Sequence, residues 1–240
     1  MMQELHLTSK VTLAREDFFF VAEGSYDDWA DRAILSFSEV QEAVARSLPF
    51  EDNRVIQIAD LGAGSGVTTA AILSHLPHAH VTVVELFDEM LDAAKARLAR
   101  FADRVTYVKA DLMDYLASET CPVFDAVVSV FCIHHQSSEG KKEFFHLAYQ
   151  HICAQGRLTL GDWTTFEDPL LREIARNETL KHLRATVPDL EKQREWAEHW
   201  RDKNMPDPAD SQIEWMRQEG FLAETLFRNY EVAVLCGRKP

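Results

Sequence analysis

Three glycines in five positions follow a short apolar run and an acidic residue in "VIQIADLGAGSGV", residues 55–67. Gly62 and Gly64 lack a Cβ, so the backbone there can turn sharply and a ligand can lie directly against it. Other residues able to do chemistry stand at the ends of apolar runs: Glu85 closes "VTVVE", Asp111 follows "VKA", and His134 and His135 follow "VVSVFCI". A strand-end carboxylate can accept two hydrogen bonds from vicinal hydroxyls. A histidine can take up a proton near neutral pH.

Spacing narrows the ligand. In the dinucleotide pattern G-x-G-x-x-G counted from Gly62, the last glycine falls at position 67, which is Val67, whereas the third glycine of this chain is Gly66. Asp60 stands just before the first glycine, where its carboxylate would repel a pyrophosphate but suit an ammonium group. No lysine follows the glycines, which excludes a P-loop.

These residues need elements to hold them. Short apolar runs at Val55–Ile58, Val81–Glu85, Val105–Lys109, Phe124–Val130 and Leu158–Asp162 alternate with helical patterns, the rhythm of a parallel sheet covered by helices. "FDEMLDAAKARLARF" puts Met90, Leu91, Ala94, Leu98 and Phe101 on one face, with Asp88 as the expected N-cap. "SSEGKKEFFHLAYQHICAQG" does the same with Phe144, Leu147, Ala148 and Ile152, and Gly156 reads as its stop signal. Near the end, Ser211 and Glu214 suggest a capping box before "IEWMRQEG". "FLAETLFRNYEVAVLCGRK" then reads as two strands joined near Arg228–Tyr230, which requires one antiparallel strand.

Two segments fall outside the alternation. The first 50 residues carry "DFFFVAEGSYDDWADR" and a helical pattern of Ile34, Phe37, Val40 and Val44. Between Phe166 and Pro208, Leu180, Leu183 and Val187 recur at helical spacing until Pro188 opens a second helix bearing Trp196 and Trp200. The aromatic groups Phe18–Phe20, Tyr26 with Trp29, and Trp196 with Trp200 read first as packing residues, and any one of them can also wall a pocket.

The chain has 240 residues, and its 25 Lys plus Arg against 39 Asp plus Glu give a formal charge of −14. That balance, with no basic run, argues against nucleic-acid binding. Cys121, Cys132, Cys153 and Cys236 lie far apart without a CxxC pair, so neither a zinc knuckle nor a dithiol redox site is expected. There is no apolar run of signal-peptide or membrane-helix length, and a cytoplasmic protein is the expectation.

"DLGAGSG" resembles the first motif of class I S-adenosylmethionine-dependent methyltransferases, an acidic residue followed by G-x-G-x-G. The similarity continues through "VTVVELFDEML", "VKADLMD", "FDAVVSVFCIHHQ" and "CAQGRLTLGDW", firmly over residues 54–162, and "NYEVAVLCGRK" extends it toward the small-molecule members. Gln155 replaces one of that family's helix-to-strand residues, proline or glycine, so only Gly156 remains of that turn. The resemblance implies an α/β, Rossmann-like, doubly wound and mostly parallel seven-stranded sheet with an antiparallel C-terminal strand and a helical lid. It implies one methyltransferase domain over residues 1–240: an N-terminal helical cap (1–50), a cofactor-binding core (54–165), a helical insert (166–208), and a C-terminal helix with a β-hairpin (209–240). The implied ligand is S-adenosyl-L-methionine, leaving S-adenosyl-L-homocysteine as product, with no metal. Its site would comprise Asp60, Gly62, Ala63, Gly64, Glu85 toward the ribose, Leu86, Asp111 and Leu112 toward adenine, Val130, and Tyr26 closing over it. Asp111 also reads as the N-cap of "LMDYLAS".

The expected partner is a small-molecule acceptor, with no nucleic acid and no membrane, and a homodimer is allowed. His134, His135 and Asp162 are the candidate proton acceptors, and the sequence does not choose among them. Read as strand neighbours, the two histidines point to opposite faces and make a poor metal-chelating pair. A non-catalytic cofactor-binding or interaction protein, a tRNA methyltransferase and a nicotinamide dehydrogenase are the competing readings.

Overall fold

The structure, a computed structural model, describes residues 26–48 and 54–240. Two helices, α1 (Tyr26–Ala33) and α2 (Phe37–Arg46), precede the alternating core. The core runs β1 (Ile56–Leu61), α3 (Val67–His75), β2 (Ala79–Glu85), α4 (Asp88–Arg97), β3 (Val105–Lys109), α5 (Leu112–Leu116), β4 (Phe124–Val130), α6 (Ser138–Gln150) and β5 (Ile152–Trp163). Then come α7 (Pro169–Thr186), α8 (Leu190–Lys203), α9 (Ala209–Gln218), β6 (Leu222–Asn229) and β7 (Val232–Arg238). The aromatic run Phe18–Phe20 lies outside the described residues. Among those described, no helix is long and apolar enough to cross a membrane.

The strands form one seven-stranded sheet in the order β3-β2-β1-β4-β5-β7-β6. Every pair from β3 to β5 is parallel, and β7 runs antiparallel to both of its neighbours. Burial on both faces follows the two-residue period of a strand. Ile58, Val83, Val128 and Val234 enter a core shared with α2 through Val40 and Val44. Their neighbours Ala59, Val84, Val127 and Leu235 enter a second core with Phe144, Phe145, Ile213 and Met216.

Three local expectations are corrected. Asp88 is the first helical residue rather than the cap; Phe87 precedes it without a side-chain cap, and the Asp88 carboxylate binds Lys109 instead. The expected capping box does not form, because α9 starts two residues before Ser211, behind Pro208, and the Ser211 hydroxyl donates to Glu167 Oε1 at 3.2 Å. Gly156 does not stop a helix: α6 ends at Gln150, and β5 already runs from Ile152.

Gly156 has a different duty. A Cβ there would sit 2.6 Å from Ile152 Cγ2 and 2.7 Å from the backbone oxygen of Asp125, in the irregular stretch where β4 meets β5. Gln155 beside it is left-handed at φ +64, its N–H donating to Lys239 O at 3.0 Å. A Gly156→Ala variant is therefore expected to lose about 1–3 kcal/mol, the usual cost of overpacking, in urea unfolding. An unchanged midpoint would show that the β4–β5 backbone gives way freely.

Candidate active site

The C-terminal ends of β1, β2, β4 and β5 open into one cleft, the place where open α/β sheets bind ligands. Its lining includes Tyr26, Gly62, Gly64, Glu85, Leu86, Asp111, Leu112, His134 and His135, with about 900 Å³ of space counting its open mouth. Asp60, Ala63 and Val130 are not on its wall.

Strand register builds the cofactor side. Leu61 pairs with Val84, so the residue after β1 arrives beside the residue that ends β2. Gly62 N–H then donates to Val84 O at 2.9 Å, and Gly64 N–H to Glu85 Oε2 at 2.8 Å. All three glycines of the turn have positive φ, +67, +55 and +81 for Gly62, Gly64 and Gly66. Gly62 also needs its missing side chain, since a Cβ would lie 2.2 Å from Cys132 Sγ. At Gly64 a Cβ would meet nothing within 4 Å, so the turn leaves open space there.

The Glu85 carboxylate is held by three amides: Oε1 accepts from Leu86 N at 2.7 Å and Phe87 N at 3.0 Å, besides the Gly64 bond to Oε2. Burial pushes its pKa up, while these three donors pull it back. Asp111 caps α5, its Oδ1 accepting from Met113 N at 2.8 Å and Asp114 N at 3.1 Å. Asp60 is fully buried under the turn. Its Oδ2 accepts from Thr69 Oγ1 at 2.5 Å and its Oδ1 has no partner among the described residues. Burial raises its pKa to about 7; the Thr69 hydroxyl opposes this and the Glu85 charge adds to it. Tyr26 also lines the cleft, its hydroxyl pKa raised to about 12 first by burial and then by Asp27, Cys132 and Glu85.

On the other side, β4 ends at Val130 and the chain enters a 3₁₀ turn at Ile133–His135. The two histidines are therefore not strand neighbours on opposite faces. Both are buried, both line the cleft, and their rings lie 4.1 Å apart. His134 Nδ1 meets Asp162 Oδ1 at 2.5 Å and its backbone N–H donates to Asp162 Oδ2 at 3.0 Å. Asp162 Oδ1 also accepts from Trp163 N at 2.7 Å. With Nδ1 donating to a carboxylate, Nε2 is left as the accepting nitrogen. No group of three or more His, Cys, Asp or Glu among the described residues is arranged to hold a metal ion.

Sequence reasoning missed the cleft residues Ile34, Phe131, Cys132, Trp163, His199 and Asn204. Trp163 had a usable signal, since it ends a strand of the parallel set. His199 and Asn204 had none: they reach the cleft only because α8 folds back over the sheet, with Trp196 6.2 Å from Trp29 and 6.5 Å from Trp163.

This sheet order, with a glycine turn after β1 and a carboxylate ending β2, defines the Rossmann-like methyltransferase fold. A family profile described as a methyltransferase domain matches residues 58–156, the stretch from β1 into β5. A malonyl-[acyl-carrier protein] O-methyltransferase of Bacillus anthracis is 33% identical over 162 residues, 65% of this chain and 54% of that protein. A carboxy-S-adenosyl-L-methionine synthase of Aeromonas salmonicida is 26% identical over 153 residues, 62% of this chain and 60% of that protein. The chain thus spans little more than half the length of these curated relatives. Among solved structures, an O-methyltransferase family protein from Burkholderia thailandensis superposes with a TM-score of 0.65 at 18% identity, covering 89% of this chain and 59% of that one. Human N-acetylserotonin methyltransferase, solved with S-adenosylmethionine, gives 0.57 at 15% identity over 85% of this chain and 52% of that one. Likeness at such identities speaks to the fold alone.

The residues present fit the family's cofactor. An unpartnered carboxyl oxygen at Asp60, open space at Gly64 and a strand-end carboxylate at Glu85 lie together at one turn.

Asp60 has a consequence for stability. Between the ordinary carboxyl range and about pH 7 the folded protein keeps a proton that the unfolded chain has lost. Stability attributable to this group therefore falls as pH rises through that window, by at most about 1.4 kcal/mol per pH unit. Asp60→Asn is expected to be more stable than the parent at pH 8 and to show no such advantage at pH 4 in denaturant titrations. Equal pH profiles for the two proteins would place the Asp60 pKa in the ordinary range.

Proposed function

We propose that the protein transfers a methyl group from S-adenosylmethionine to a nucleophilic atom of a small-molecule acceptor. The observation that carries this is the placement of an oriented base, His134 backed by Asp162, across one cleft from the Gly62–Gly64 turn and Glu85. When bound, the cofactor supplies a methyl group already activated by its sulfonium. What remains for the protein is to align the acceptor, exclude water and manage a proton.

In this reading Gly62, Ala63 and Gly64 let the backbone approach the methionine part, and Asp60 answers its ammonium group. Glu85 accepts from the ribose hydroxyls. Its two oxygens offer about four acceptor positions, and Oε1 already holds two amides and Oε2 one, so releasing the Gly64 N–H toward the ligand leaves Oε2 free to accept from both hydroxyls. Leu86, Asp111 and Leu112 bound the adenine end, and Tyr26 closes over the ligand, whereas Val130 stands behind the cleft wall. His134 Nε2 takes the acceptor's proton, and Asp162 holds the ring in the required tautomer. His135 packs beside it as wall. The helical insert 166–208, with α1 and α2, forms the lid that shapes the acceptor half.

Binding and chemistry separate in the test. Glu85→Ala is expected to lose at least tenfold in affinity for S-adenosylhomocysteine by calorimetry. His134→Gln and Asp162→Asn should bind it within about twofold of the parent, yet lose about 10²–10⁴ in turnover, the usual contribution of a positioned base. Turnover is read as S-adenosylhomocysteine formed from a metabolite extract. An unaltered affinity in Glu85→Ala would contradict the placement of the ligand, and full turnover in both other variants would remove the base.

A further inference from the structure

The acceptor half of the cleft has a definite chemistry. Among its described lining residues the only carboxylates are Glu85 and Asp111, both on the cofactor side, and there is no lysine or arginine. Elsewhere among the described residues, the buried Lys141 is committed to Asp207 and Met205 O, and the half-buried Arg176 to Glu231 at 3.2 Å. Apart from the cofactor's own sulfonium, an anionic acceptor would shed its hydration in this cleft with no lysine or arginine among the described lining residues to replace it.

What the acceptor half offers instead is aromatic surface. Phe131, Trp163 and Trp196 line it, with Trp163 set 6.2 Å from Phe131 at 54° and 6.5 Å from Trp196 at 50°. Rings tilted to one another in this way present both faces and edges to a flat guest. Phe131 reaches the wall at a cost, since its φ of +50 is a conformation that bulky residues avoid. Such strain persists where surroundings over-determine it. Here the Phe131 ring stacks on Phe37 at 5.6 Å and 12°, and its N–H donates to Gly161 O at 2.8 Å.

Resting on the methyltransferase reading above, we infer that the acceptor is an uncharged, planar aromatic molecule whose ring hydroxyl is methylated. Phe131, Trp163 and Trp196 hold its ring, and His134 Nε2 faces its hydroxyl. The hydroxyl proton passes to His134 Nε2 while the oxygen forms its bond to the methyl carbon. The carbon–sulfur bond breaks as this happens, and its electron pair returns to sulfur, leaving a neutral thioether, an aryl methyl ether and an imidazolium paired with Asp162.

Calorimetry on the full chain saturated with S-adenosylhomocysteine tests this with three probes of similar size: 2-naphthol, its saturated counterpart decahydro-2-naphthol, and 6-hydroxy-2-naphthoate. 2-Naphthol is expected to bind at least tenfold more tightly than either of the others. Trp196→Leu, a lid change away from the cofactor turn, should abolish that preference while leaving S-adenosylhomocysteine affinity unchanged. Equal binding of the saturated alcohol, tighter binding of the naphthoate, or no binding of any probe to the S-adenosylhomocysteine-loaded protein would each overturn the inference. Failure of S-adenosylhomocysteine itself to bind would overturn the underlying reading instead.

Discussion

Everything in the site depends on the register of β1 against β2. Because Leu61 stands opposite Val84, the chain leaves β1 where β2 ends, and the glycine turn can reach Glu85 with its own backbone. A slip of one residue would turn every β1 side chain to the other face. Ile58 and Ala59 would exchange cores, and Asp60 would leave its position under the turn. The two packed layers that make the sheet stable thus also hold the ligand-binding geometry, and neither can shift without the other.

The same burial sets the electrostatics. The turn and the ends of β1 and β2 gather Asp60 and Glu85 in a buried region, with Asp111 close by and no arginine or lysine among the described residues of the cleft wall. Two different devices keep these acids in place. Glu85 is stabilised by three backbone donors, whereas Asp60 has one hydroxyl and a bare oxygen, which is why burial dominates its titration. Cys132, whose sulfur fills the space that Gly62 leaves, feels the same environment, and its thiol is pushed well above its ordinary range, first by burial and then by the surrounding acids. It is a packing residue beneath the turn and has no thiolate to offer near neutral pH.

Elements whose periodicity depends only on the sheet were legible in the chain: the alternation of Val83 with Val84, the helix carrying Leu91 and Ala94, and the hairpin ending at Val232–Arg238. Glycines and acids at strand ends must converge on one sheet edge, and Gly62, Gly64, Glu85 and Asp111 do meet there in one cleft. Local capping was less legible. Asp88 and Ser211 are both good caps by type, yet Asp88 is taken by Lys109 and Ser211 by Glu167, partners supplied by the fold rather than by neighbours in sequence. The histidines were misplaced because nothing in "FCIHHQ" announces a 3₁₀ turn. That turn is secured by contacts from far along the chain, with Asp162 on one side and Met205 N donating to His134 O at 2.8 Å on the other.

That last pair of contacts explains why the acceptor half resists reading from sequence. His134 is held between β5 and the segment that follows α8, so its ring is fixed from the sheet and from that segment at once. Trp196 and Trp200 look from their spacing like packing residues, and they are: Trp163 lies 6.5 Å and 6.2 Å from them. Trp196 nevertheless walls the cleft, because docking α8 on β5 seats it between the core and the acceptor space. One ring thus belongs both to the core and to the cleft wall. On the proposed reading, a change of acceptor would come through residues that also pack α8 against the core.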